Sequence, residues 1–352
     1  MYRLIIADIK SPVLNGSCLG HFFAVARNYL QIFGKKYPTC VAGGPIYQTE
    51  FSDSILKLPY NTEIYKNRNI IKEKTRVLLN CKELFLKGIN DIIIIQQGAD
   101  VTAYVGIILF YHKKSKLYMI QYSDAGIRSW FKRLIYKLAS NKINGIICPN
   151  EVVGQAYNLP YCVVPDYIYI NQGTINIRSY SERTYDLCFV GRLVEEKGII
   201  DVAKKVAGTK YKMIIAGNSD TKELEHELKT ICNSCTNIEL HLGFITDRVY
   251  YKYIQNSKFC ILNYQEEYSK RSSGVVLDFI FNNVPIIGKE CKALEFIKGN
   301  TLGHLFSNLS NLNLDEIINE ENFILYNKNI EQYKQLHVKY QKKLANFIGI
   351  NF

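Results

Sequence analysis

The sequence predicts an α/β fold of two domains, each a parallel sheet covered on both faces by helices. Three observations carry that prediction. Short apolar runs of strand length alternate with amphipathic stretches of helix length along two successive parts of the chain. A polar, glycine-bearing stretch from Pro165 to Arg183, PDYIYINQGTINIRSYSER, separates the two parts. The 352 residues suffice for two cores, and 47% hydrophobic with 22% charged residues is ordinary for a soluble globular protein.

In the first part, strands are expected at 2–9, 38–42, 91–96, 117–121 and 144–148, with helices near 21–33, 68–87, 100–111 and 127–141. In the second, strands are expected at 185–190, 211–216, 237–242, 258–263, 284–287 and 302–306, with helices between them. A last helix over about 328–347 carries the charges of a surface element. The expected division is 1–166, 167–327 and a terminal helical segment 328–352. In this order of elements, ligands sit at the carboxyl ends of the strands.

The richest motif is YDLCFVGRLVEEKG, Tyr185 to Gly198: an apolar strand, a Gly191-Arg192 turn, and Lys197-Gly198 at the mouth of a helix. A glycine turn before a helix leaves backbone amides open beside the positive end of the helix dipole. Arg192 supplies a planar fork for a diphosphate and Lys197 a mobile point charge. Alone, this segment reads equally well as a plain strand-to-helix turn with solvated cations. A second segment, FCILNYQEEYSKRSSGVVLDFIFNNVPIIG from Phe259 to Gly288, parses as strand, polar loop, helix and strand. Arg271, Ser272 and Ser273 lead to Gly274 at a helix start, where a phosphate can approach free amides closely. Asp278 follows about one turn later and can accept both hydroxyls of a ribose, or serve as a solvated helix acid.

The run FVGRL, EKG, an acidic loop, a glycine helix start and LDFIFNNVPII resembles the donor half of the two-Rossmann-domain (GT-B) glycosyltransferases, especially glycosyltransferase family 4. The resemblance covers residues 185–306. It implies two Rossmann-like domains with a cleft between them and a terminal helix that crosses back onto the first domain. It also implies that Arg192, Lys197 and the amides of Ser273, Gly274 and Val275 hold a donor diphosphate, with Gly191 at the turn and Asp278 on the ribose. The family's two glutamates, separated by seven residues, fall here on Lys270 and Asp278. The first acid is therefore lost, and Glu266 or Glu267 is the candidate to contact the donor sugar.

The first part offers an acceptor side with less definition. The loop KSPVLNGSCLGH, Lys10 to His21, brings Gly16, Ser17 and Gly20 toward the expected cleft, but its spacing is not a dinucleotide fingerprint. His21 is a candidate to touch donor or acceptor from the helix start, and equally a capping or solvated residue. Asp124, just past the strand ending near Gln121, is a candidate acid that orients or deprotonates the acceptor hydroxyl, or else the cap of the helix starting near Ile127.

The formal charge of +12 concentrates between Ala125 and Asn150, where Arg128, Lys132, Arg133, Lys137 and Lys142 occur with no acid. Interleaved Trp130, Phe131, Leu134, Ile135 and Leu138 make an amphipathic helix. Its basic face suits an anionic membrane surface, while its apolar face is expected to pack on the sheet. No zinc-finger spacing or RNA-binding aromatic motif supports a nucleic-acid partner. Ten cysteines are scattered singly, so no disulfide framework is expected. Cys232 and Cys235, flanked by His226 and His241, form a lone CxxC in what reads as an ordinary helix-to-strand loop, and no metal site is expected. With no basic-then-apolar leader and no run long enough to span a bilayer, the expected location is cytoplasmic, at most peripheral to the inner face of the cell membrane.

Together these readings and the resemblance lead to an expected function. It is a glycosyltransferase moving a sugar from a nucleotide-diphosphate donor, a UDP-sugar, to a hydroxyl of a glycan or lipid-linked acceptor. The setting implied is surface polysaccharide, lipopolysaccharide or capsule assembly, with retention and without metal or cofactor. The alternative, motivated by Lys270, is a catalytically inactive nucleotide-sugar-binding partner of a glycan assembly complex.

Overall fold

The computed structural model describes residues 2–14, 17–18, 21–63, 69–96, 100–165, 167–170, 178–265 and 273–351, with Leu14, Ser17, Cys18 and His21 described in backbone only. The chain divides into two compact units, one of Met1–Ile170 with His337–Phe352 and one of Asn171–Leu336.

In the first unit, β1 (Leu4–Ala7), α1 (His21–Phe33), β2 (Thr39–Gly43), β3 (Ile55–Lys57), α2 (Ile70–Lys87), β4 (Ile92–Ile95), α3 (Val101–Phe110), β5 (Lys116–Ile120), α4 (Trp130–Ser140), β6 (Gly145–Cys148) and β7 (Tyr161–Val163) follow in order. The seven strands form one parallel sheet in the order β7-β6-β5-β4-β1-β2-β3. Alternation along each strand splits the core into two layers. Ile5, Ala7, Ile93 and Ile95 pack with Cys81, Leu84, Tyr104 and Ile107 of α2 and α3. Leu4, Ile6, Ile92 and Ile94 pack with Val25 and Tyr29 of α1 and with Leu344, Ala345 and Ile348 near the end of the chain. A small three-stranded sheet, Pro12–Leu14, Ser17–Cys18 and Thr62–Glu63, was not anticipated from sequence, since one of its two pairings joins segments far apart in the chain.

The second unit runs β8 (Tyr185–Val190), α5 (Ile199–Val206), β9 (Met213–Gly217), α6 (Lys222–Asn233), β10 (Ile238–Leu242), α7 (Asp247–Gln255), β11 (Ser257–Leu262), α8 (Gly274–Phe281), β12 (Ile286–Lys289) and β13 (Gly303–Phe306). Its six strands are parallel, in the order β10-β9-β8-β11-β12-β13. Counted from the first strand of each unit, both sheets contain the order 3-2-1-4-5-6 of the dinucleotide-binding fold. The final helix, α9 (Glu320–Ile348), begins at Glu320 rather than near 328, and the division between units falls inside it.

Two expectations about α4 fail. Of the five apolar residues expected on the sheet, only Ile135 packs against the core, while Trp130, Phe131, Leu134 and Leu138 point outward, 76%, 50%, 49% and 58% exposed. The inward positions belong to Ile135, Tyr136 and Ala139. Tyr136 lies edge-on to Tyr104 and Tyr157 and donates its hydroxyl to the Tyr157 carbonyl at 2.6 Å. Nor does Asp124 cap the helix; Asp124–Gly126 is a separate 3-10 turn, and Ser129 caps α4 by accepting from Lys132 N at 3.4 Å.

Candidate functional site

In an open sheet of this order, ligands bind outside the carboxyl ends of the strands where the order reverses. In the second unit that point lies between β8, ending at Val190, and β11, ending at Leu262. Both sequence motifs reach it. Gly191 turns the chain at φ +109° and donates its N–H to Ala216 O at 3.0 Å. Gly217, at the end of β9, has φ +149°, and a Cβ there would lie 1.7 Å from the Gly191 carbonyl oxygen. Only glycine lets the two strand ends approach this closely.

Beyond the turn, Lys197 closes a 3-10 turn and Gly198 enters α5 at φ +65°, where a Cβ would lie 2.2 Å from Asn263 O. The turn after β8 therefore rests on the loop after β11, and Gln265 N donates to Glu196 O at 2.9 Å across the same seam. The start of α8 comes to the same place: a Cβ on Gly191 would lie 3.3 Å from Val275 Cγ2. Ser273 occupies the N-cap position without capping; its Oγ pairs with the Tyr264 hydroxyl at 2.8 Å. Thus Gly191, Arg192 and Lys197 are gathered with Ser273, Gly274 and Val275, facing the amino end of α8.

The charges there are held in unequal ways. Lys197 is only 5% exposed, and its Nζ donates to Arg192 O at 2.9 Å. Burial, reinforced by the neighbouring Arg192 guanidinium, pushes its amine down to about 8. Arg192 is exposed and forms a two-pronged pair with Asp220, Nε to Oδ1 and Nη2 to Oδ2, both at 2.6 Å. Asp278 accepts from Tyr250 Oη at 2.8 Å and from Tyr251 Oη at 3.4 Å. Burial, with the Asp278 carboxylate, raises the Tyr250 hydroxyl well above its ordinary value and keeps it a donor. These tyrosines and Asp220 were not anticipated from sequence, since they reach the site from loops and helices that follow other strands.

Glu266, Glu267, Arg271 and Ser272, with Lys270, lie outside the described residues, as do Gly16 and Gly20. Ser17 is in a two-residue strand and His21 opens α1. Asp124 lies at the carboxyl side of β5, exposed and paired with Arg128 Nη2 at 2.8 Å. The first unit instead buries three polar residues at the carboxyl ends of adjacent strands: Asp8, Gln96 and Gln121. Asp8 accepts from Ser11 N at 2.8 Å and Tyr47 Oη at 2.5 Å, and Gln121 accepts from Tyr157 Oη at 3.0 Å. Their sequence signal is a polar residue closing an apolar run, as in LIIAD, IIIIQ and LYMIQ.

His241 is paired with Glu239, at 2.8 Å, and with the Tyr253 hydroxyl. No group of three metal-ligating side chains occurs among the described residues. The depression lined by Lys205, Thr209, Tyr211 and Asp315 borders the residues leading into β9, at the end of the strand opposite Gly217, and so lies away from this site.

No family model and no curated protein matches the sequence. Solved structures do match, over nearly the full chain. A lipopolysaccharide outer core galactosyltransferase, WaaB, in its apo form, is 13% identical, with 99% of each chain covered and a TM-score of 0.61. A trehalose-6-phosphate synthase, OtsA, is 10% identical with 99% of each chain covered and a TM-score of 0.71. HepE of Anabaena, solved with UDP and glucose, is 10% identical over 99% of this chain and 100% of the other, with a TM-score of 0.65. The chain has the GT-B fold. The two Rossmann-like sheets expected from sequence are those of GT-B, and the second unit occupies the place of its carboxyl-terminal Rossmann half.

Proposed function

We propose that the protein is a glycosyltransferase that moves a sugar from a nucleoside-diphosphate donor, a UDP-sugar, to a hydroxyl of a glycan or lipid-linked acceptor. One observation carries the reading: the Gly191 turn, the buried Lys197 and the amino end of α8 converge at the reversal point of the second sheet, where a Cβ on Gly191 would lie 3.3 Å from Val275 Cγ2. Solved structures of the same fold add support, a trehalose-6-phosphate synthase bound with UDP-2-fluoro glucose and HepE with UDP and glucose among them.

In this reading the bond from the sugar's anomeric carbon to the diphosphate breaks, the acceptor oxygen takes its place, and the acceptor's proton is lost. Negative charge develops on the departing diphosphate, where Lys197, Arg192 and the amides of Ser273 to Val275 stabilise it. Fixed cations and amides can serve where a metal would otherwise bridge the phosphates, so the proposed reaction is metal-independent. Retention of configuration and a place in surface polysaccharide assembly follow from the likeness to glycosyltransferase family 4. Asp124 is the proposed acceptor-side acid, with His21 beside the donor or acceptor, and anionic membrane at the cytoplasmic face is the proposed source of a lipid-linked acceptor. Lys270, standing where the family has glutamate, favours one second reading, a nucleotide-sugar-binding partner without turnover.

Thermal-shift measurements against UDP, GDP and ADP and their sugar conjugates test the donor site, because a ligand bound only by the folded state raises the melting temperature. A shift with UDP and its conjugates is expected. Arg192→Ala and Lys197→Ala should each remove a charge-assisted contact of about 1.5–3 kcal/mol, weakening donor use at least ~10-fold with the fold intact. Unchanged binding in both variants would remove the site assignment. Release of nucleoside diphosphate from a bound sugar conjugate separates transferase from binding partner.

A further inference from the structure

Among the described residues, the outward face of α4 is left exposed, and its composition is unusual for a surface helix. At about 100° per residue, Trp130, Leu134, Leu138 and Phe131 occupy one arc of roughly 100°, with Arg133 and Lys137 along one edge of it. All six are exposed, and Trp130 is 76% so. On the neighbouring α3, Leu109 is 59% exposed as well. The inward arc is filled by Ile135, Tyr136 and Ala139, so α4 is already anchored without its large apolar residues.

The cations near α4 divide by role. Lys132 Nζ donates to Ala125 O at 2.9 Å, and Lys142 Nζ donates to Ile108 O at 2.9 Å at the carboxyl end of α3. Arg128 is paired with Asp124. Arg133 and Lys137 are one turn apart and border the apolar arc, and α4 itself contains no acid. A second copy of the chain would bring the same cations face to face, which argues against self-association. An anionic, apolar-backed surface complements both halves of the face: phosphate headgroups for Arg133 and Lys137, the acyl boundary for the indole, phenyl and leucine side chains. No helix among the described residues is long and apolar enough to cross a membrane. The geometry is that of a helix lying in the interface.

We infer that α4 docks the protein on an anionic lipid bilayer by inserting Trp130, Phe131, Leu134 and Leu138, with Arg133 and Lys137 bound to lipid phosphates. This deepens the membrane reading above by fixing its surface and its mode, insertion rather than charge contact alone. It does not depend on the donor site.

Trp130 is the single tryptophan, so its emission reports directly on this face. With the full chain, vesicles of phosphatidylcholine mixed with phosphatidylglycerol should shift Trp130 emission to the blue and sediment the protein. Pure phosphatidylcholine vesicles should do so far less. Leu134→Ser with Leu138→Ser, both at exposed positions, should abolish the shift at unchanged circular dichroism. Arg133→Gln with Lys137→Gln should lower the partition coefficient about 30-fold, near fivefold per cation. Absence of any shift or sedimentation overturns the inference, as does binding that both double variants leave unchanged. Blue emission without lipid, together with a concentration-dependent dimer that Leu134→Ser breaks, also overturns it and names a second copy as the occupant. A nucleotide thermal shift that persists while vesicle binding fails leaves the donor site standing, and the converse removes only the donor reading.

Discussion

Lys197 is the residue on which the proposed donor site turns, because its position sets its chemistry. An amine buried to 5% exposure beside a guanidinium is costly to keep charged, and its titration falls to about 8 from an ordinary 10.5. Below about pH 8 the folded protein carries that cost in full. Between 8 and 10.5 the unfolded chain still holds the proton that the folded chain has released, so this contribution to stability improves as pH rises. A diphosphate bound at the proposed site would reverse the preference by favouring the ammonium. Nucleoside-diphosphate affinity is therefore expected to fall as pH rises through about 8, approaching tenfold per unit, with proton uptake on binding. Calorimetric titration in buffers of different ionisation enthalpy on either side of that pH measures it, and Lys197→Met should flatten the profile. The sequence made Arg192 and Lys197 visible through the glycine turn that holds them. It could not show that Lys197 is buried or that Asp220 clasps Arg192, since these depend on where the ends of β9 and β11 fall in three dimensions.

At the scale of elements, strand ends set the site more than side chains do. Gly217 is the sharpest case, because a methyl group there would meet the Gly191 carbonyl at 1.7 Å and part β8 from β9 where the proposed diphosphate site opens. Gly217→Ala is expected to cost about 2–4 kcal/mol, and to weaken nucleotide binding more than a core substitution of equal cost elsewhere in the sheet. Denaturant melts read alongside calorimetry would show this. The strands of the second unit were legible because apolar runs such as FCIL and MIIA end abruptly at polar or glycine residues. Helix α4 was legible as a helix but not in its orientation. An amphipathic pattern states how wide the apolar stripe is, and it cannot state which side the sheet takes when Tyr136 and Ala139 fill the inward positions.

For the whole molecule, α9 is the element that belongs to both units. Residues 320–336 pack in the second unit, where Lys334 is buried against Glu331 and Asn283. Residues from His337 onward complete the first, in whose core Leu344, Ala345 and Ile348 are fully enclosed. Leu344→Ala should therefore destabilise the first unit by about 2–5 kcal/mol. Hydrogen exchange should show faster exchange across β1, β4 and β5, while nucleotide protection around Gly191 and α8 is retained. The length of the terminal helix was only partly legible, since its first turns, EENF, look like a polar connection until Phe323 is seen packing beneath the Arg183 guanidinium at 4.8 Å.

The sharing of α9 also sets a timetable for synthesis. The first unit's strands leave the ribosome early, yet one layer of their core stays open until His337–Phe352 has been made, after all of Asn171–Leu336. At about 5–20 residues per second that is a wait of roughly 10–30 s. During that interval Leu4, Ile6, Ile92 and Ile94 lack the Leu344, Ala345 and Ile348 cover that the finished chain gives them. A nascent chain stalled before residue 337 would accordingly be a substrate for chaperones that bind exposed aliphatic strands, and a chain carrying residues 337–352 would not.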